Sequence, residues 1–192
     1  HYDLDGSALG DAVVSPDGTR LYVANMSQHR IDCVSLGPPY EVIDQYSTDP
    51  YTRPRGIAIS PDGNYLFTAH YIPGGSQVVA WRINPYWAEV GSAALPDNGR
   101  RIAANQDCTR LYVTDHNANR VFVYRVDWVL DPPGLFLVSP PEGRDLNTIP
   151  GYQASPVGIT CGEWENIGVF RESSGLWALK GVTRTYFGQD GD

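Results

Sequence analysis

Polar and apolar residues alternate in short runs along most of the chain, and the runs return at a fixed interval. The run "RLYVAN" at residues 20–25 reappears as "YLFTAH" at 65–70 and as "RLYVTD" at 110–115, each step being 45 residues. A short apolar run precedes each of them ("DAVVS", "GIAIS", "RIAAN"). A run with branched or aromatic residues at every second position follows ("RIDCVSL", "QVVAWRI", "RVFVYRV"). Period-two alternation places successive side chains on opposite faces of a pleated strand, so each unit predicts three strands. A weaker fourth strand is predicted at "YEVIDQY", "AEVGSAAL" and "GLFLVSP". No segment keeps a helical period, and 15 prolines and 20 glycines interrupt the chain too often for long helices.

The turn between the first two strands of a unit has its own chemistry. In "SPDG", Pro16 and Pro61 preset φ, Asp17 and Asp62 can bond their own backbone, and Gly18 and Gly63 accept positive φ. Units of this length with four short antiparallel strands are blades of a β-propeller. The expectation is an all-β fold, a single propeller domain over residues 1–192. Its four-stranded antiparallel blades, about four, would fall near 11–55, 56–100, 101–155 and 156–192, with the first two "SPDG" turns at one end. The last unit lacks that turn and follows an inserted "SPPEGRDLNTIPGYQAS", yet still reads as the short strands "GIT", "NIGVF", "LWALKGV" and "TRTYF". Four blades would close through the N-terminal segment, the ring would be completed by another chain, or these blades would be part of a longer protein. Unpaired edges favour assembly.

Units one to three resemble the YVTN type of β-propeller repeat at residues 12–25, 57–70 and 102–115, with Cys108 where the turn glycine would stand. The last unit resembles an integrin-like FG-GAP repeat through "IGVFRESSGLWALKGVTRTYFG". FG-GAP blades carry an acidic calcium loop before this phrase. Here the stretch is "TCGEWEN", whose only carboxylates are Glu163 and Glu165, so calcium is not carried over. The N-terminal "DLDG" supplies two carboxylates where six to eight oxygens are needed. The YVTN resemblance implies a ring of more blades than this chain supplies.

Charge narrows the partners. With 14 Lys and Arg against 22 Asp and Glu, the chain repels phosphate backbones, which argues against nucleic acid. No apolar run approaches the roughly 20 residues of a membrane-spanning helix, so no membrane insertion is expected. Cys33, Cys108 and Cys161 fit no metal or haem spacing. Either all three are buried thiols, or Cys108 and Cys161 bridge neighbouring blades if their Cα atoms come within about 7 Å.

Candidate chemistry sits where equivalent positions gather on one rim. The second strands end in Asn25, His70 and Asp115, followed by Met26, Tyr71 and His116. Asn25, His70, Asp115 and His116 are the candidate ligand-binding set at the channel mouth, with the competing reading that such strand-end residues bond loop backbone. No metal and no cofactor is expected. No nucleophile elbow, HExxH or phosphate loop is present, so no catalytic residue is assigned. Tyr86 and Trp87, in "NPYWAEV", are candidates for contact with a protein or carbohydrate partner, against packing between blades. The leading expectation is a non-catalytic extracellular or periplasmic binding or scaffold module within an assembly. The alternative is a lactonase-like or other small-molecule hydrolase using the channel mouth.

Overall fold

The structure, a computed structural model, describes residues 4, 8–73, 75–96, 98–117, 120–128, 134 and 135, and the backbone alone of 136–137, 158–161, 167–171, 176–179 and 185–186. Strands β1 (Leu9–Val14), β2 (Arg20–Asn25), β3 (Arg30–Ser35) and β4 (Val42–Ser47) form one sheet in that order. A second holds β5 (Pro54–Ile59), β6 (Tyr65–His70), β7 (Gln77–Arg82) and β8 (Ala88–Ala94), and a third β9 (Gly99–Ala104), β10 (Arg110–Asp115), β11 (Arg120–Asp127) and β12 (Gly134–Leu137). The fourth contains β13 (Gly158–Cys161), β14 (Ile167–Arg171), β15 (Leu176–Leu179) and β16 (Thr185–Tyr186). Each sheet is an antiparallel meander, and the described residues contain no helix. The first strands lie side by side, β1 against β5, β5 against β9 and β9 beside β13, as the inner strands of propeller blades do.

The turn chemistry explains why the first hairpin forms three times. Ser15 Oγ donates to Asp17 Oδ1, which also accepts the Thr19 amide at 3.0 Å, while Gly18 sits at φ 71°. Ser60, Asp62, Asn64 and Gly63 repeat this, with Gly63 at φ 72°. A Cβ on Gly63 would lie 3.4 Å from Pro16, which puts the two turns side by side. In the third blade Asn105 stands in for serine: its Oδ1 accepts the Arg110 amide at 2.8 Å, and Asp107 accepts that of Thr109. Cys108 takes the left-handed position at φ 53° although it is not glycine. Its side chain is fully buried, so the packing it gains there opposes the backbone strain.

Period two sends alternate residues of β6 and β7 to two different interfaces. Leu66, Val79 and Trp81 pack with Tyr22, Ile31 and Cys33 of the first blade. Phe67, Ala69, Val78 and Ala80 pack with Ile102, Leu111, Val113 and Tyr124 of the third. Among the described residues the hydrophobic core is thus a pair of seams between blades. Cys33 and Cys108 are both free, buried thiols, and burial, reinforced by Asp107 and Asp62, pushes the Cys108 thiol up to about 12. Cys161, the other half of the bridge that the sequence left as an alternative, lies outside the described side chains.

Candidate functional site

Three of the four candidate rim residues turn inward. Asn25 is fully buried, donates Nδ2 to Asp32 Oδ2 at 2.7 Å and accepts from Ser27 Oγ and the Gln28 amide. Asp115, also fully buried, accepts the Asn117 amide at 2.9 Å. Both bond within their own blade. His70 anchors a directed relay: Trp81 Nε1 donates to Thr68 Oγ1 at 2.7 Å, and Thr68 Oγ1 lies 2.7 Å from His70 Nε2. The far nitrogen, Nδ1, lies 3.2 Å from the Thr52 carbonyl. A carbonyl only accepts, so Nδ1 carries the proton and Nε2 accepts from Thr68. Both ring nitrogens are thereby used. Among the described residues no group of three His, Cys, Asp or Glu is placed to hold a metal ion.

Burial pulls His70 down to about 4, with the Thr52 carbonyl opposing weakly. In the native state the ring stays neutral, whereas in the unfolded chain it gains a proton below about 6.5. The unfolded state therefore binds more protons between those two values, and stability falls as pH falls through that window. We expect about 2 kcal/mol of stability to be lost between pH 7 and pH 5. His116 is shifted the same way, so urea titrations should be run in a His116→Gln background. A flat stability across that range would contradict the assignment.

The aromatic candidates divide. Trp87 is sandwiched between Tyr46 of the first blade (4.6 Å, 17°) and Trp81 of its own (4.8 Å, 9°), and its Nε1 donates to the Ser47 carbonyl. Its ring is a contact between blades. Tyr86 is 61% exposed, with the Arg82 guanidinium 4.5 Å from its ring centroid. Trp128 bridges to Tyr65 and donates to the Cys108 carbonyl, whereas Trp164 and Trp177 lie outside the described side chains.

Of the rim set, His116 lines a described cleft. This cavity, of about 310 Å³, is bounded by Leu9, Gly10, Met26, Arg55, Asn98, Arg100, Arg101 and His116. Its walls are the starts of the inner strands β1, β5 and β9 and the residues just after β2 and β10. It therefore sits where the blades converge. Gly10, Arg55 and Arg100 each stand five positions before the first turn residue, Ser15, Ser60 or Asn105. Counting back from the turns in the sequence would have found these arginines, and counting forward from the second strands finds Met26 and His116.

The cleft is strongly cationic in an acidic protein of net charge −8. Arg55 Nη1 donates to Asn98 Oδ1 at 2.6 Å, and its guanidinium lies 4.5 Å from the Tyr71 ring centroid. Arg100 Nη1 lies 3.2 Å from His116 Nδ1. A guanidinium only donates, so His116 accepts at Nδ1 and keeps its proton on Nε2. Burial, then the Arg100 and Arg55 charges, hold His116 below its ordinary value against Asp115. Arg101 pairs with Asp11 at 3.3 Å, and burial raises the Asp11 carboxyl above its usual range despite Arg101 and the Ala12 amide.

No family model matches the chain, and no curated protein matches it. Solved structures do. The periplasmic gluconolactonase of Pseudomonas aeruginosa superposes with a TM-score of 0.68 at 17% identity, covering 89% of this chain and 49% of its own. A protein from Lactobacillus plantarum gives 0.70 at 18%, covering 91% and 51%. The Cps50 (Swd1) β-propeller domain of Myceliophteria thermophila gives 0.63 at 10%, covering 91% and 54%. At these identities the likeness shows the fold, and the fold is that of a β-propeller. The chain spans about half the length of the structures it matches.

Proposed function

We propose that the cleft where the inner strands converge is a small-molecule site and that the protein is a hydrolase of the lactonase kind. The observation that carries this reading is the gathering of Arg55, Arg100, Arg101 and His116 at one mouth, with Asp11 paired to Arg101 beside it. Likeness to a propeller named as a gluconolactonase supports it. Water attacks the lactone carbonyl carbon and gives its proton to Asp11, whose raised pKa suits a proton acceptor. Arg101 and the Nε2–H of His116 stabilise the oxyanion. Collapse breaks the ring C–O bond, the alkoxide takes the proton back, and a hydroxy acid leaves. Acid release from glucono-1,5-lactone in a pH-stat tests this. We expect turnover above the uncatalysed rate, with kcat about 100-fold lower in Asp11→Asn. A wild-type rate equal to background would overturn the reading.

Part of the binding-module reading has its own support. Ala12 is exposed where its counterparts Ile57 and Ile102 are only 3% and 4% exposed, and Val14 is 48% exposed. The face of the first blade is thus poorer in cover than the faces behind it, as expected if a further blade or a partner packs there. With Tyr86 this supports assembly with a protein or carbohydrate partner. The three turn geometries support a YVTN-type repeat in units one to three. The FG-GAP assignment of the last unit falls mostly outside the described residues. The periplasmic neighbour is in keeping with an extracellular or periplasmic location.

A further inference from the structure

We propose that the cleft takes a ligand bearing a permanent anionic group, a carboxylate or a phosphoryl group, gripped between the guanidinium groups of Arg55 and Arg100. This rests on the reading of the cleft as the functional site and extends it to the charge of what binds there.

Three observations lead to it. First, the two arginines are brought together by the repeat itself, since they occupy the same register position of neighbouring inner strands. Second, no described carboxylate pairs with either of them. Among the described residues, Arg101 has its carboxylate in Asp11, but Arg55 and Arg100 are bonded only to neutral groups, the Asn98 carbonyl oxygen, the His116 imidazole and the Tyr71 ring. Burial and the nearby Arg100 charge even lower the Arg55 pKa. Two partly desolvated cations facing one cavity cost folding free energy unless something offsets their repulsion. Third, the rest of the protein is acidic, so the cleft is a local reversal of the field that draws anions to one place.

The neighbouring groups fit the same ligand. Each guanidinium has five N–H donors in a planar fork that matches two oxygens of a carboxylate or phosphoryl group. One of these donors is engaged on each arginine, by Asn98 and by His116. The Nε2–H of His116 adds a neutral donor. At about 310 Å³ the cavity has room for a small organic acid or sugar phosphate rather than a polymer. At Gly10, the counterpart of the two arginines, a Cβ would lie 2.5 Å from the Arg55 carbonyl oxygen, so β1 packs closely on β5 there and presents bare backbone.

Calorimetry on the full chain at low ionic strength, with inorganic phosphate, gluconate and neutral glucose as probes, tests the proposal. We expect one of the anions to bind with Kd of about 1 mM or tighter, and glucose not at all. Phosphate alone binding identifies a phosphoryl ligand, and gluconate alone a carboxylate. Arg55→Met and Arg100→Met should each weaken binding about tenfold, and Arg100→Lys less, because it keeps the charge and loses the fork. The His116 ring signal gives a second readout by NMR. The groups facing it are Arg100, Arg55 and Asp115, so a bound anion should raise its pKa by screening the two cations, and Arg100→Met should raise it without ligand. Neither anion binding at about 10 mM, or unchanged affinity in both methionine variants with native-like spectra, would overturn the proposal. Lactone turnover without anion binding overturns this inference and leaves the hydrolase reading standing, and the reverse pattern separates them the other way.

Discussion

Replacing Thr68 with valine is expected to destabilise the protein by about 3 kcal/mol, although the two side chains have nearly the same shape. The Thr68 hydroxyl is the middle of the relay, accepting from Trp81 Nε1 and donating to His70 Nε2, with both distances 2.7 Å and all three side chains essentially excluded from water. Valine keeps the methyl and loses the oxygen. An indole N–H and an imidazole nitrogen are then left buried without partners, each costing about 1–3 kcal/mol. Thr68→Ser separates the two contributions, since it keeps the hydroxyl and gives up only a methyl, for about 1 kcal/mol. Urea midpoints at pH 7 provide the comparison, and the Trp81 indole proton should move in the valine variant alone. A loss below about 1 kcal/mol for valine would show that the relay contributes little, and that His70 is held by the Thr52 carbonyl and by its ring contacts with Tyr51 and Trp81.

The same residues show why the strands were legible in the sequence and the cleft was not. Alternation and turn chemistry are local, and both are written inside each unit. "SPDG" closes its hairpin with bonds that span no more than five residues. The two-sided burial of the blades fills β6 and β10 with apolar residues on both faces, and so gives the recurring phrase. The site depends instead on a difference of one residue. His70 ends β6 and is sealed in the seam, whereas Tyr71, next along, stands beside Arg55. Asp115 ends β10 and is fully buried, whereas His116 reaches the cleft. Alternation predicts that neighbours diverge, but which of the pair faces the axis depends on how blades pack against each other. Arg55 and Arg100 are harder still to see, since they stand 45 residues apart on separate inner strands, and their pairing appears only when unit is laid on unit. Tyr86 and Trp87 make the same point: adjacent aromatics, one 61% exposed and the other stacked between two rings.

Gly56→Ala is expected to cost about 3 kcal/mol or more, a large effect for one methyl group. The added Cβ would stand 2.8 Å from the Ile102 amide nitrogen and 2.9 Å from the Arg101 Cα, both backbone atoms of β9. No side chain can swing aside to make room, so β5 and β9 must move apart where the second and third blades touch. The cost is steric rather than conformational, since the backbone at Gly56 is not among the positive-φ positions. Gly37→Ala is the matched control: nothing lies within 4 Å of its Cβ, and the change should stay within about 0.5 kcal/mol. The substitution also tests the cleft. Arg55 precedes Gly56, and Arg100 and Arg101 belong to the strand being displaced, so a variant that remains folded at low temperature should bind phosphate or gluconate more weakly even though every cleft side chain is intact. Stability measured by urea unfolding and affinity measured by calorimetry should therefore fall together. Unchanged affinity in a destabilised Gly56→Ala protein would mean that the close approach of the inner strands holds the blades together without setting the spacing of the arginines.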